Sequence, residues 1–185
     1  MLVVIVGIII VIVAVVALWL ISSYNGIITR RNRCDNAWQQ IDAQLQRRSD
    51  LVPNLLESVK GYASHEQRLI ESISAARTGM LSAATPADTM AADGALTAGL
   101  RQLVAVSKTY PELKANENFH QLQQQLEETE NKITYARQSY NDCVLMYNNA
   151  IQTFPGSLLA SFGDFPEKAG YQIPDASREA PSLKF

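Results

Sequence analysis

Residues 119–154 read FHQLQQQLEETENKITYARQSYNDCVLMYNNAIQTF. Phe119, Leu122, Leu126, Thr129, Ile133, Ala136, Tyr140, Cys143, Tyr147, Ala150 and Phe154 follow one another at steps of three or four, and all but Thr129 are apolar or aromatic. That is the period of a single helix face, sustained for about ten turns. Phe154-Pro155-Gly156 stops it. Nothing in the stretch alternates as a strand would, so the fold class it sets is all-α.

Upstream, Leu96, Leu100, Leu103, Ser107 and Tyr110 predict a second helix that Tyr110-Pro111 closes. Its entrance is written in Thr85-Pro86-Ala87-Asp88, which supplies an N-cap hydroxyl, a proline at the first helical position and an acid at the third. Further back, two heptad series run in phase. One holds Ile27, Cys34, Ile41, Arg48, Leu55, Tyr62, Leu69 and Ala76; the other holds Arg31, Trp38, Leu45, Val52, Val59, Glu66, Ile73 and Met80. The phase survives Pro53, so one kinked helix or two helices meeting there both fit. The predicted architecture is an up-and-down bundle of three to four long helices with coiled-coil-like packing. Downstream, Gly163, Pro166, Gly170, Pro174 and Pro181 predict a loop or tail, with one short apolar turn over Ser157–Phe162.

At the other end, 20 of the first 21 residues are Ala, Val, Ile, Leu, Met or Trp, the exception being Gly7. Leu2 to Ile21 is long enough at ~1.5 Å per residue to cross a ~30 Å hydrocarbon core. It is too long for a signal-peptide core, lacks a basic flank before it and is followed by no small-x-small cleavage site. We therefore expect an uncleaved anchor over residues 1–23, a bundle over 24–156 and a tail over 157–185. Every charged side chain lies at or beyond Arg30. Arg30, Arg31 and Arg33 follow the span and predict a cytoplasmic bundle on a single-pass anchor, with Met1 outside. The same three residues suit anionic headgroups, at ~1 kcal/mol each.

The charge balance excludes a general nucleic-acid binder, because 16 basic residues face 18 acidic ones. Two cysteines make neither a disulfide scaffold nor a metal pattern. Glu117-x-x-His120 is a single half of a di-metal motif, and His65-Glu66 has Leu69 where a zinc helix needs its second histidine. No glycine-rich phosphate loop or nucleophile elbow occurs. The expectation is a protein without catalysis, cofactor or metal.

Several phrases resemble the LemA family of bacterial membrane proteins. They include Asn36-Ala37-Trp38-x-Gln40-Ile41-Asp42, Arg47-Arg48-x-Asp50-Leu51-x-Pro53-Asn54-Leu55 and Val59-Lys60-Gly61-Tyr62-Ala63. Tyr110-Pro111-x-Leu113-Lys114-Ala115-Asn116-x-Asn118-Phe119 and Tyr135-Ala136-Arg137-x-x-Tyr140-Asn141 follow in the family's order. The resemblance spans about residues 24 to 165. It implies a bundle of about four helices on a single-pass anchor; a magnetosome-membrane member suggests a part in membrane organisation.

Two residue-level expectations remain. Arg48 stands in a series otherwise filled by Ile41 and Leu55, so either it is buried against an acid of the third helix, such as Glu127, Glu130 or Asp142, or its guanidinium snorkels out of the seam. The first stripe, taken as one helix from Ile27 to Met80, is longer than either partner helix. An uncovered segment near the bilayer would make Ile27, Cys34, Trp38, Ile41 and Leu45 the interface of a homo-oligomer. The function expected from this is a membrane-anchored scaffold that self-associates and organises membrane or membrane proteins. The alternative is a monomeric tethered adaptor for an unidentified signalling or proteolytic protein.

Overall fold

A computed structural model of the chain describes residues 1–61 and 66–172, all helix, turn or loop. The sequence readings that fall on Tyr62, His65, Pro174 and Pro181, and the tail beyond residue 172, lie outside the described residues. In chain order the helices are α1 (Leu2–Lys60), α2 (Gln67–Leu81), α3 (Pro86–Ser107), the single turn α4 (Pro111–Lys114), α5 (Glu117–Gln152) and α6 (Gly156–Phe162). They form two compact units. One comprises Met1–Gln39 with Arg137–Gly170, the other Gln40–Ala136 with the chain from Tyr171 on.

In the second unit, α1 passes through Pro53 without interruption. Proline has no N–H for the carbonyl four residues back, which here belongs to Ser49. Arg77 of α2 donates its Nε to that oxygen at 2.9 Å, and the Pro53 ring is exposed. The helical stretch predicted to reach Met80 instead breaks after Lys60, at Gly61. Glycine costs a helix about 1 kcal/mol relative to alanine, and an apolar stripe reads the same whether one helix continues or a new one begins in phase. In α2, Leu69, Ile73 and Met80 are buried on the continued pattern.

The turn after α2 ends in a full capping box. Thr85 Oγ1 accepts from the Asp88 N–H at 3.1 Å, while the Thr85 N–H donates to Asp88 Oδ2 at 3.2 Å. Pro86 opens α3 as expected. α2 and α3 pack antiparallel, since Gly99 faces Ile73 and Gly79 faces Ala92. Gly99 is required by contact: a Cβ there would lie 2.8 Å from Ile73 Cγ1. Leu96, Leu100 and Leu103 of α3, Val52, Leu55 and Val59 of α1, and Phe119, Leu126 and Ile133 of α5 complete the core.

In the first unit, the early part of α1 and the late part of α5 run antiparallel. Trp38 meets Tyr140 edge-on with centroids 5.4 Å apart, and Trp19 meets Phe154 at 5.6 Å. The chain then turns sharply into α6 at Gly156, where any Cβ would collide with the Ala150 carbonyl oxygen at 1.8 Å. Residues 163–170 are irregular, as their glycines and proline predict, and they pack on the first unit. Phe165 is buried and packs edge-on against Tyr24 at 5.6 Å. Tyr140 and Tyr147 donate to the carbonyls of Ala169 and Pro166 at 3.1 and 3.0 Å, and Asn148 Nδ2 donates to Lys168 O at 2.9 Å. Proline and glycine ruled out a helix there, but side chains of α5 take up the backbone groups that a helix would have paired.

Before these elements, the stretch from Leu2 is apolar and long enough to cross a membrane, and an 18-residue window of it holds no buried residue.

Candidate functional site

Arg48 is the centre of the second unit. It lies on the inward face of α1, 4% exposed, between Ile41 and Leu55 in the heptad order. A guanidinium taken out of water needs charged or polar partners at its donors. Nη1 meets Asp93 Oδ1 and Thr97 Oγ1, each at 2.9 Å, and Nη2 pairs with Glu130 of α5. Asp93 also accepts from Tyr171 Oη at 2.6 Å, so the chain beyond α6 reaches this network. The snorkelling alternative is thereby set aside. Of the three acids considered for Arg48, Glu130 is the one brought to it; Glu127 stays on the surface, and Asp142 belongs to the first unit.

Asp93 is not among the acids that the sequence reading offers to Arg48, because residues 83–94 are small, polar and Ala-rich and read as a turn followed by a frayed helix start. The signal was nonetheless present. Thr89, Asp93, Leu96, Leu100, Leu103 and Ser107 continue one face at steps of three and four, and all six are buried. A lone acid on that face and a lone arginine on the facing helix stripe point to each other.

Beside the network lies a cavity of about 370 Å³. Leu55, Leu100, Leu103 and Phe119 form its apolar wall, and Arg48, Arg101, Gln123 and Glu130 bring polar groups to it. Arg48 enters it already matched by two carboxylates, so the cavity carries little uncompensated charge at its base. The hydroxyl and carboxylates on its lining are those of Thr97, Glu127 and Glu130.

In the first unit the membrane-proximal basic residues Arg30, Arg31 and Arg33 are exposed. Arg30 Nη1 donates back to Gly26 O at 3.0 Å. Arg30 and Arg33 also line a small recess with Thr29, Cys143 and Met146. The candidate oligomer interface is arranged differently from expectation. Ile27, Cys34, Ile41 and Leu45 are 2, 0, 0 and 1% exposed, covered by their own chain. Trp38 is half-buried on Tyr140. α1 ends at Lys60, and residues 163–170 add cover through Phe165 on Tyr24 and Lys168 on Asp35, so the stripe is shorter and better covered than one helix from Ile27 to Met80 would be. Burial pushes the Cys34 thiol up, and nearby Cys143 adds to the effect while Lys168 opposes it. Burial likewise raises the Tyr140 and Tyr147 phenols.

An all-α bundle preceded by a helix apolar enough to cross a membrane defines a class, the membrane-associated helical proteins. The model of the LemA family matches residues 37–185, and the chain belongs to that family. It is 22% identical over 172 residues to the magnetosome protein MamQ of Magnetospirillum gryphiswaldense, an alignment that covers 79% of this chain and 63% of the relative. The chain thus spans less than two thirds of that relative's length.

Proposed function

We propose that this protein is a non-catalytic, membrane-tethered adaptor: a self-contained helical module held on one transmembrane helix that docks a protein partner without first assembling with copies of itself. One observation carries the reading. The apolar stripe from Ile27 to Leu45, which a self-associating scaffold would share between copies, is buried within the single chain. Each such side chain contributes about 1.5–3 kcal/mol when taken out of water, and here the gain is made in the monomer fold. A second copy adds nothing at these positions. The self-associating scaffold must then use another surface. The relative's name, magnetosome protein, is compatible with either role at a membrane.

The tether is read from Leu2–Ile21 as a bilayer span, and its orientation from Arg30, Arg31 and Arg33, which favour retention of the bundle in the cytoplasm of a bacterial inner membrane. Exposed on the recess beside Cys143, Arg30 and Arg33 are also free to meet anionic headgroups. Light scattering coupled to size exclusion of detergent-solubilised full chain tests the adaptor reading. It is expected to give one chain per micelle across a tenfold concentration range; a stable higher mass would overturn it. A C-terminal reporter active only in the cytoplasm should be active, and silence there with an active periplasmic reporter reverses the orientation.

A further inference from the structure

Between Asp142 and Asp164 the chain carries no charged side chain, and none precedes Arg30 either. In the first unit these two uncharged stretches meet, because Phe154 rests on Trp19 and Gly156 on Ile27. α6 sits in the second of them. It turns Gly156 inward and leaves Leu158 and Phe162, four residues apart on one face, 50 and 92% exposed; Phe154 just ahead of it is 69% exposed. Two large apolar side chains on the outer face of a seven-residue helix, with a third exposed just ahead of it, are unusual where polar groups could have stood.

Their position along α1 says what covers them. Phe154 packs on Trp19 and Phe165 on Tyr24, each at 5.6 Å between centroids. Trp19 and Tyr24 are five residues apart, a rise of ~7.5 Å. Both ends of the segment from Phe154 to Phe165 are therefore held beside this short stretch of α1. That stretch begins in the last turn of the apolar span, at Trp19, and ends three residues beyond Ile21. An aromatic pair at this depth matches the interfacial belt of membrane proteins, where rings sit among headgroups and acyl-chain ends.

We infer that α6 is a membrane-contacting element: Phe154, Leu158 and Phe162 insert into the interfacial layer of the same leaflet that α1 leaves, so that the bundle is held on the bilayer at a second point. The occupant of this face is lipid. The inference rests on the reading of Leu2–Ile21 as a bilayer span. A second contact removes the free swivel that a lone helix would allow.

The test uses the full chain with Cys34→Ala and Cys143→Ala, reconstituted in vesicles of phosphatidylcholine and phosphatidylglycerol at three to one. Single cysteines replace Leu158, Phe162, Gln39 or Ile9, one at a time, and carry a nitroxide. All four sites are exposed in the fold, so labelling leaves the core intact. Collision rates with oxygen, which concentrates in lipid, and with a water-soluble nickel chelate report depth. At 158 and 162 the oxygen-to-nickel ratio should exceed that at Gln39 at least fivefold. Nickel accessibility at 162 equal to that at Gln39, with Ile9 lipid-shielded, overturns the membrane contact and leaves the anchor standing. If Ile9 is also open to nickel, the anchor and the contact fall together. Spin–spin broadening between labelled chains at 158 or 162, with both reagents excluded, would assign the face to a second copy and equally overturn the inference.

Discussion

Arg77 Nε donates to the main-chain oxygen of Ser49, the oxygen that Pro53 leaves without its helical N–H. A side chain of α2 thus stands in for a missing backbone donor in α1, and the helix continues for another seven residues to Lys60. The arrangement makes a proline in mid-helix compatible with a straight heptad phase.

If that account is right, Arg77 and Pro53 are energetically coupled. Arg77→Ala should lower the unfolding free energy by ~1–3 kcal/mol, the range for stranding a polar group. In a Pro53→Ala background the alanine N–H serves Ser49, and the same substitution should cost no more than about 1 kcal/mol, from lost packing of the arginine stem. A double-mutant cycle by urea unfolding in detergent measures the difference. Equal costs in the two backgrounds would show that Arg77 does not compensate for Pro53.

The Arg48 network yields an order of effects. Asp93→Ala removes the more buried of the two carboxylates that face Arg48 and leaves the guanidinium with Glu130 and Thr97 alone, for about 3–5 kcal/mol. Glu130→Ala should cost less, because the Glu130 side chain is 29% exposed against 3% for Asp93 and its loss admits water. Arg48→Met together with Asp93→Leu replaces charge by apolar volume and should be milder than Asp93→Ala alone. Denaturant midpoints decide it. A double substitution as damaging as the single one would mean that the ion pair adds net stability beyond avoiding a stranded charge.

Much of this was legible in the chain, and the misses share a cause. The α5 stripe, the capping box at Thr85 and the burial of Arg48 all rest on local spacing, which a sequence displays directly. Even there the face drifts: Val144 and Ile151 are buried where Cys143 and Ala150 were expected to be, and Phe154 turns outward. The break at Gly61 and the partner Asp93 depend on which helix faces which, and periodicity is silent about that. The segment around Phe165 and Tyr171 was read by its prolines and glycines, although its two buried aromatics decide its packing. The burial of Ile27, Cys34, Ile41 and Leu45 within one chain likewise depends on which elements face them, and spacing alone does not give that.

Glycine substitutions separate contact from conformation. Gly79→Ala meets nothing closer than the Ala92 Cβ at 3.9 Å, in an exposed helical position, and should stabilise by up to about 1 kcal/mol. Gly156→Ala must push the Ala150 carbonyl away from 1.8 Å, and should lower the melting temperature by several degrees. Calorimetry of the two variants should give shifts of opposite sign. A neutral Gly156→Ala would mean the α5–α6 turn is less tightly closed than described.

Alkaline pH should loosen the first unit. Burial holds Cys34, Tyr140 and Tyr147 above the ordinary range for their groups. The unfolded chain therefore gives up these protons first. Their stabilising contribution is full below ~8.5 for the thiol and ~10 for the phenols, and is lost as pH rises through those values toward the folded-state ones. Tyr147→Phe should flatten the fall in melting temperature between pH 9.5 and 11, and Cys34→Ala the fall that begins near pH 8.5. Unchanged slopes in both variants would place the alkaline sensitivity elsewhere.

The central claim is that the stripe from Ile27 to Leu45 is satisfied within one chain, so that the protein works as a tethered monomer. Cysteines at the exposed positions Gln39 and Gln46, each alone in a Cys34→Ala, Cys143→Ala background, test it in native membranes with short bifunctional cross-linkers. The account predicts monomer at both positions over several expression levels. Discrete dimers or a ladder of larger species, independent of expression level, would contradict it and restore the self-associating scaffold.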